Sequence, residues 1–138
     1  MGLSKKALDN LSYKVIGAAI EVHRHLGPGL LESVYQKCLA IEFANQEITF
    51  SQELQIPVEY KGQRINTEFR CDFLVEDLIV VELKSVSELL PMHHAQVINY
   101  INLLKVPKGL LINFNVSNIF HQGQKTFVNK YYDELYPF

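Results

Sequence analysis

Apolar residues recur at helical spacing near the start of the chain, at Leu11, Val15, Ala18, Ala19, Val22 and Leu26. Positions three and four apart share one face of a helix, so this run predicts an amphipathic helix, with Ser12 as its N-cap and Gly27-Pro28-Gly29 as its stop. A second helix is expected from about Leu30 to Asn45, with Leu31, Val34, Tyr35, Cys38, Leu39 and Phe43 on its apolar side. Strands are then expected over about Leu54 to Tyr60, about Arg64 to Val75 and about Ile79 to Val86, with Lys61-Gly62-Gln63 as the first hairpin turn. A helix from about Pro91 to Leu104 follows. The apolar run Gly109 to Phe114 suits a strand near the centre of a sheet, and a last strand, about Lys125 to Val128, leads into an aromatic tail, Tyr131 to Tyr136. The order ααβββαββ predicts an α/β fold, a mixed sheet with helices packed against it.

Composition bounds this reading. A chain of 138 residues is long enough for one domain with a sizeable core, and the expected domain spans residues 1–138. Its 48% hydrophobic and 20% charged residues are ordinary for a soluble globular protein. No apolar run approaches a membrane span, and the segment MGLSKKALDN lacks the apolar stretch of a secretory signal. The two cysteines, Cys38 and Cys71, have no zinc spacing and suit a reducing compartment, so a cytoplasmic protein with no membrane contact is expected. A formal net charge of -2 argues against tight, non-specific binding to nucleic acid, which requires a basic footprint. Lysines and arginines do gather at Lys5, Lys6, Lys14 and Arg24 and again at Lys125 and Lys130, a distribution that solvated surface residues also produce.

The candidate chemistry lies in FRCDFLVEDLIVVELKSV, residues 69 to 86. Asp72, Glu82 and Lys84 are ionisable groups inside a hairpin of Val, Ile, Leu and Phe. Burying a charge is costly unless it is paired or binds a metal. Two carboxylates and a lysine can hold a divalent cation and act on a water beside it. Parity decides whether they meet. Glu82 and Lys84 are two apart and share a strand face. A three-residue connection, Glu76-Asp77-Leu78, pairs Val75 with Ile79 and sets Asp72 opposite Glu82; a two-residue connection, Glu76-Asp77, puts Asp72 on the other face. The odd positions Phe73, Val75, Ile79, Val81 and Leu83 form an apolar face, and the even face carries Asp72, Glu82 and Lys84 beside Leu74, Leu78 and Val80.

The spacing of Asp72 from Glu82-Leu83-Lys84 resembles the core of the PD-(D/E)XK nuclease superfamily. Gln96-Val97-Ile98-Asn99-Tyr100 resembles the Q-x-x-x-Y helix motif of its RecB-type branch. Gly29-Leu30-Leu31-Glu32-Ser33-Val34-Tyr35 spells G-x-x-E-x-x-Y, the motif that names the GxxExxY protein family of that superfamily. The likeness runs from about Leu11 to about Val128; the proline of the superfamily's name is absent, since Cys71 precedes Asp72. The resemblance implies a restriction-endonuclease-like fold and metal-dependent phosphodiester hydrolysis. It implies that Asp72 and Glu82 bind Mg²⁺ or Mn²⁺ with the backbone carbonyl of Leu83, that Glu32 is an outer ligand, directly or through water, and that Lys84 positions the attacking water or stabilises charge on the phosphate. It further implies that Gln96 lines the cleft and that Tyr100 packs or touches a phosphate. The partner implied is nucleic acid, DNA ahead of RNA, with a homodimer or a partner protein that supplies the substrate also compatible.

Each of these residues has a plainer reading. Glu32 suits a helix start, where the dipole favours a carboxylate. Tyr35 is a core tyrosine or a donor to the site. Gln96 and Tyr100, four apart, are also what a surface pair looks like. His93, three before Gln96, is a candidate phosphate contact, but His23, His25, His93 and His94 show no zinc spacing. No P-loop, nucleophile elbow or dinucleotide motif occurs. Two further classes stay open: a nucleic-acid-binding module without turnover, and an interaction protein whose core buries an Asp/Glu–Lys salt bridge.

Overall fold

The computed structural model describes residues 2–138. Helix α1 spans Lys5–Leu26 and α2 spans Glu32–Asn45, and strands β1 (Phe50–Gln55), β2 (Val58–Tyr60), β3 (Gln63–Ile65), β4 (Arg70–Val75) and β5 (Ile79–Lys84) follow. Then come α3 (Pro91–Leu104), β6 (Lys108–Asn113), a single π-turn over Ile119–Gly123, β7 (Gln124–Val128) and one last helical turn, α4 (Lys130–Asp133). The main sheet has the order β1-β4-β5-β6-β7, and β2 and β3 form a separate two-stranded arm. Only β5 and β6 run parallel, joined by the α3 crossover; the other neighbours are antiparallel. The result is the mixed sheet flanked by helices that the apolar pattern predicts.

Two cores sit on opposite faces of this sheet. On one face α1 and α2 bring Leu8, Val15, Ala19, Tyr35, Leu39 and Phe43 against Phe73, Val75, Ile79, Val81 and Leu83. On the other, α3 packs Tyr100 and Ile101 against Cys71, Leu74 and Val80. The close approach of α3 depends on Gly109, since a Cβ there would lie 2.5 Å from Val97 Cγ1 and 3.0 Å from Ile101 Cγ2.

Several boundaries differ from those expected. The N-cap of α1 is Ser4, whose hydroxyl accepts from the Ala7 N–H; Ser12 lies inside the helix, buried, donating its hydroxyl to the Leu8 carbonyl. Both serines satisfy the local rule, but Leu8 supplies one more buried turn upstream. Leu31 and Val34 are exposed and not part of the apolar side of α2. The expected strand Leu54 to Tyr60 divides between β1 and β2 because Pro57 has no N–H for the ladder. The expected strand Arg64 to Val75 divides between β3 and β4, where the Thr67 hydroxyl accepts from the Phe69 N–H and turns the chain. The turn expected over Lys61-Gly62-Gln63 is Lys61-Gly62 alone, since Gln63 already pairs with Tyr60 in β3.

Candidate active site

The β4–β5 connection has three residues. Val75 pairs with Ile79, and Glu76 and Asp77 take φ of 54° and 57° to make the turn. This is the odd-length connection, so Asp72 comes opposite Glu82, one step beyond the last backbone pair, Phe73 with Val81. Leu78 is the exception to the parity argument: it lies in the turn and packs against the core of the other face.

At Asp72 the regular ladder gives way to side chains. The Asp72 N–H donates to Glu82 Oε1 at 2.8 Å, and the Leu83 N–H donates to Asp72 Oδ2 at 2.8 Å. Each carboxylate uses one oxygen to hold a strand in place, and among the described residues the other oxygen has no protein donor. The same place distorts β1. The ladder pairs Gln52 with Phe73 and Leu54 with Cys71, skipping Glu53, whose φ is 54°. Phe50 and Phe73 pack into one core, whereas Leu54 and Cys71 pack into the other. The two strands therefore exchange faces at Glu53 and Asp72. A left-handed glutamate within a strand is strained, and such strain persists only where surrounding structure enforces it. Glu53 also accepts from Gln36 of α2 at 2.6 Å.

The G-x-x-E-x-x-Y segment builds the second wall. Gly29 has a φ of 93°, a conformation that favours glycine. The buried Tyr35 hydroxyl donates to the Gly27 carbonyl at 2.5 Å and accepts from the Leu30 N–H at 3.1 Å, while its ring stacks on Phe114 with centroids 4.3 Å apart. Tyr35 thus fastens the turn that presents Glu32 and faces that turn, not a substrate. Ser85, just past β5, donates to the Leu30 carbonyl at 2.6 Å and ties the same turn to the end of the Glu-Leu-Lys strand. Glu32, in the first turn of α2, is close enough for its charge to act on both Asp72 and Glu82.

Electrostatics mark the cluster. Glu82 is 3% exposed; burial first, then the charge of Asp72, push its carboxyl well above the ordinary range, against the opposing effects of the Asp72 N–H and Lys84. Burial also raises Asp72, with Glu53 and Glu32 adding to it and the Leu83 N–H and Lys84 opposing it. Burial, helped by the charges of Glu82 and Asp72, pushes the Cys71 thiol up to about 12, so this cysteine is a buried hydrophobe and no nucleophile; neither Cys71 nor Cys38 is in a disulfide. Lys84 is half-buried. The ion pairs of the described residues join Glu21 to Arg24 and His25, and Lys108 to Asp9; Lys84 is in none of them. The three charges are therefore not a closed salt bridge.

The remaining predicted residues divide. Gln96 donates to the Tyr100 hydroxyl at 3.2 Å, and both line a groove of about 590 Å³ between α3, the β2–β3 arm and Phe69. Burial raises the Tyr100 hydroxyl, and the charges of Glu82 and Asp72 act on it in the same direction; Tyr100 packs in one cluster with Cys71, the neighbour of Asp72. His93 does not act as a free side chain: its Nδ1 accepts from the Leu90 N–H at 3.0 Å and caps α3. Asn113 and Glu53 escape the sequence reading. Asn113 is buried at the end of β6, donates to the Val86 carbonyl and accepts from the N–H groups of Val86 and Asn115, so it holds the chain just past Lys84. A polar residue closing the apolar run Gly109 to Phe114 was its only signal; Glu53 has none, since glutamate on an exposed strand is commonplace.

The groups here that could hold a cation offer oxygen alone: the carboxylates of Asp72 and Glu82 and, on α2, that of Glu32. Hard oxygen ligands suit a hard divalent cation, and such a cation would offset the burial and the repulsion that raise both carboxyls. Among the described residues no three His, Cys, Asp or Glu side chains are gathered at metal-holding positions. No described helix is long and apolar enough to cross a membrane. Comparison with curated proteins and with solved structures gives no match. The PD-(D/E)XK nuclease superfamily matches over residues 9–127, a stretch that contains every residue of the cleft described above. With a mixed five-stranded sheet, its carboxylates on β4 and β5 and its Glu-x-Lys on the central strand, the chain belongs to the PD-(D/E)XK nuclease superfamily.

Proposed function

We propose that this protein hydrolyses phosphodiester bonds of nucleic acid with Mg²⁺ or Mn²⁺ as cofactor. The observation that carries the reading is Lys84, in no ion pair among the described residues, beside two carboxylates that each keep one oxygen free of donors from those residues. A structural salt bridge would consume those groups. Asp72, Glu82 and the Leu83 carbonyl would hold the cation, with Glu32 reaching it through water. The bound cation would polarise the scissile phosphate and ease deprotonation of a water. Lys84, a cationic donor at the mouth of the pair, stabilises charge on the phosphate and orients the water. Gln96, anchored on Tyr100, borders the cleft from α3 and orients the strand. The G-x-x-E-x-x-Y turn and the Gln96–Tyr100 pair support placement in the GxxExxY family and the Q-x-x-x-Y branch. Free Cys38 and Cys71 support a reducing, cytoplasmic setting. DNA is favoured over RNA as substrate, with a homodimer or partner protein supplementing a surface whose net charge is -2.

That low positive charge favours one alternative, a non-catalytic binding module that keeps the fold. The test uses Mn²⁺ at low salt with single-stranded, duplex and branched DNA and with RNA. Wild type cleaves at least one, and Lys84→Ala loses cleavage by about 100-fold or more while keeping its fold and most of its Mn²⁺ binding, because cation holding and charge stabilisation rest on different groups. If every substrate stays intact, or Lys84→Ala cleaves like wild type, the catalytic assignment fails and the module takes its place.

A further inference from the structure

Along α3 runs a groove whose apolar lining the proposed hydrolysis leaves unassigned. Its floor is Tyr100 and its walls are Val58, Phe69 and Met92, with the amides of Gln96 and Asn99 at the edge. Phe69 is 53% exposed and Met92 69% exposed, while the Phe69 and Tyr100 rings lie 6.3 Å apart. Large apolar side chains left in water next to a polar site mark a surface that binds something. The volume, about 590 Å³, falls in the range of small-ligand sites, about 300–1,000 Å³.

We infer that this groove receives unstacked nucleobases, so that the substrate is a single strand or a frayed end whose phosphate lies at Asp72, Glu82 and Lys84. The inference rests on the nuclease reading for the position of that phosphate, and on the groove alone for the bases. Three observations select the occupant. The groove neighbours the carboxylates, because Tyr100, which lines it, packs in one cluster with Cys71, the residue before Asp72. No lysine, arginine or acid lines it, so it has nothing to offer the phosphates that a duplex presents outward. A neutral base beside two carboxylates meets no repulsion, whereas a second phosphate would. Aromatic and thioether surfaces accept the face of any base, and side-chain amides, which donate and accept, can meet any base edge. A duplex hides those faces in its stack.

The test is binding in EDTA at low salt, where no cleavage occurs. The probes are a twelve-nucleotide oligothymidylate, the matching oligouridylate and a twelve-base-pair duplex, followed by fluorescence anisotropy, and a single strand carrying one 2-aminopurine, whose fluorescence is quenched on stacking. Wild type binds a single strand on the order of tenfold more tightly than the duplex and quenches the 2-aminopurine. Phe69→Ala weakens single-strand binding on the order of tenfold, as loss of one stacked base predicts. Met92→Ala weakens it less, and Phe69→Tyr, which keeps the ring, restores it. Both positions are exposed, so melting temperature and the response to Mn²⁺ stay those of wild type in each variant. The oligothymidylate and oligouridylate arms tell DNA from RNA, and tighter binding of either supports the groove. Equal or tighter duplex binding, absence of quenching, or wild-type affinity in Phe69→Ala overturns it. Duplex cleavage undiminished in Phe69→Ala sinks the groove and leaves the nuclease reading standing. Groove-dependent binding of single strands without cleavage of any substrate does the reverse.

Discussion

Glu82 ties chemistry to stability. Its carboxyl is raised by burial and then by Asp72, so the folded chain holds that proton more tightly than the unfolded chain does. A carboxyl raised in this way adds stability at low pH, below its ordinary range, and that contribution is lost as pH rises from the ordinary range to the raised folded value. Asp72 is raised as well and acts in the same sense. The metal-free protein should therefore lose melting temperature between about pH 4 and the raised value of Glu82, about 8, and Glu82→Gln, which cannot ionise, should flatten much of that decline. Thermal denaturation in EDTA across this range checks it; a Glu82→Gln curve parallel to wild type would contradict the burial argument. The sequence could be read as far as the pairing of these residues, because parity makes a one-residue difference in a turn into a choice of face. It could not show that the two carboxylates close a rung of the ladder, since that depends on where β4 and β1 exchange faces, and Glu53, the left-handed residue at that point, looks like any exposed glutamate until its φ is seen.

Among the elements, α3 and β6 set the depth of the cleft. The helix bounds Pro91 and Leu104 follow from the sequence, and so does the apolar strand after it. Their separation does not, because it rests on a missing Cβ. Gly109→Ala would drive its methyl into Val97 and Ile101. Overpacking of this kind costs about 1–3 kcal/mol, and since α3 carries Gln96 and Tyr100, cleavage should fall with stability. Chemical denaturation paired with the cleavage assay measures both; full stability in Gly109→Ala would mean that α3 does not rest on β6 as closely as described. The β2–β3 arm was partly legible. Its Lys61-Gly62 turn follows from sequence, whereas its detachment from the main sheet follows from Pro57 and the Thr67 turn, which act over longer stretches than a hairpin pattern displays.

For the whole molecule, the two cores on opposite faces meet at a central strand that bears the charges. A ligand that binds only the folded state stabilises it, by about 2.7 kcal/mol at a hundredfold excess over its dissociation constant. Millimolar Mn²⁺ or Mg²⁺ should raise the melting temperature of wild type by several degrees, and Glu82→Gln should abolish most of the gain. An unchanged melting temperature across a Mn²⁺ titration of wild type would count against the cation site. The pairing of Asp72 and Glu82 with the N–H groups of Leu83 and Asp72 has one more consequence, for descent. The carboxylates that would hold a cation also join β4 to β5, each through one of its oxygens, so a lineage that gave up its chemistry would still lose fold stability by discarding them. Selection for a folded protein alone would keep both carboxylates in place. The Lys84 side chain holds no strand and is in no ion pair among the described residues, so on the nuclease reading it is the first of the three to be free to vary in a lineage that drifts from catalysis, and its presence is the most telling of the three.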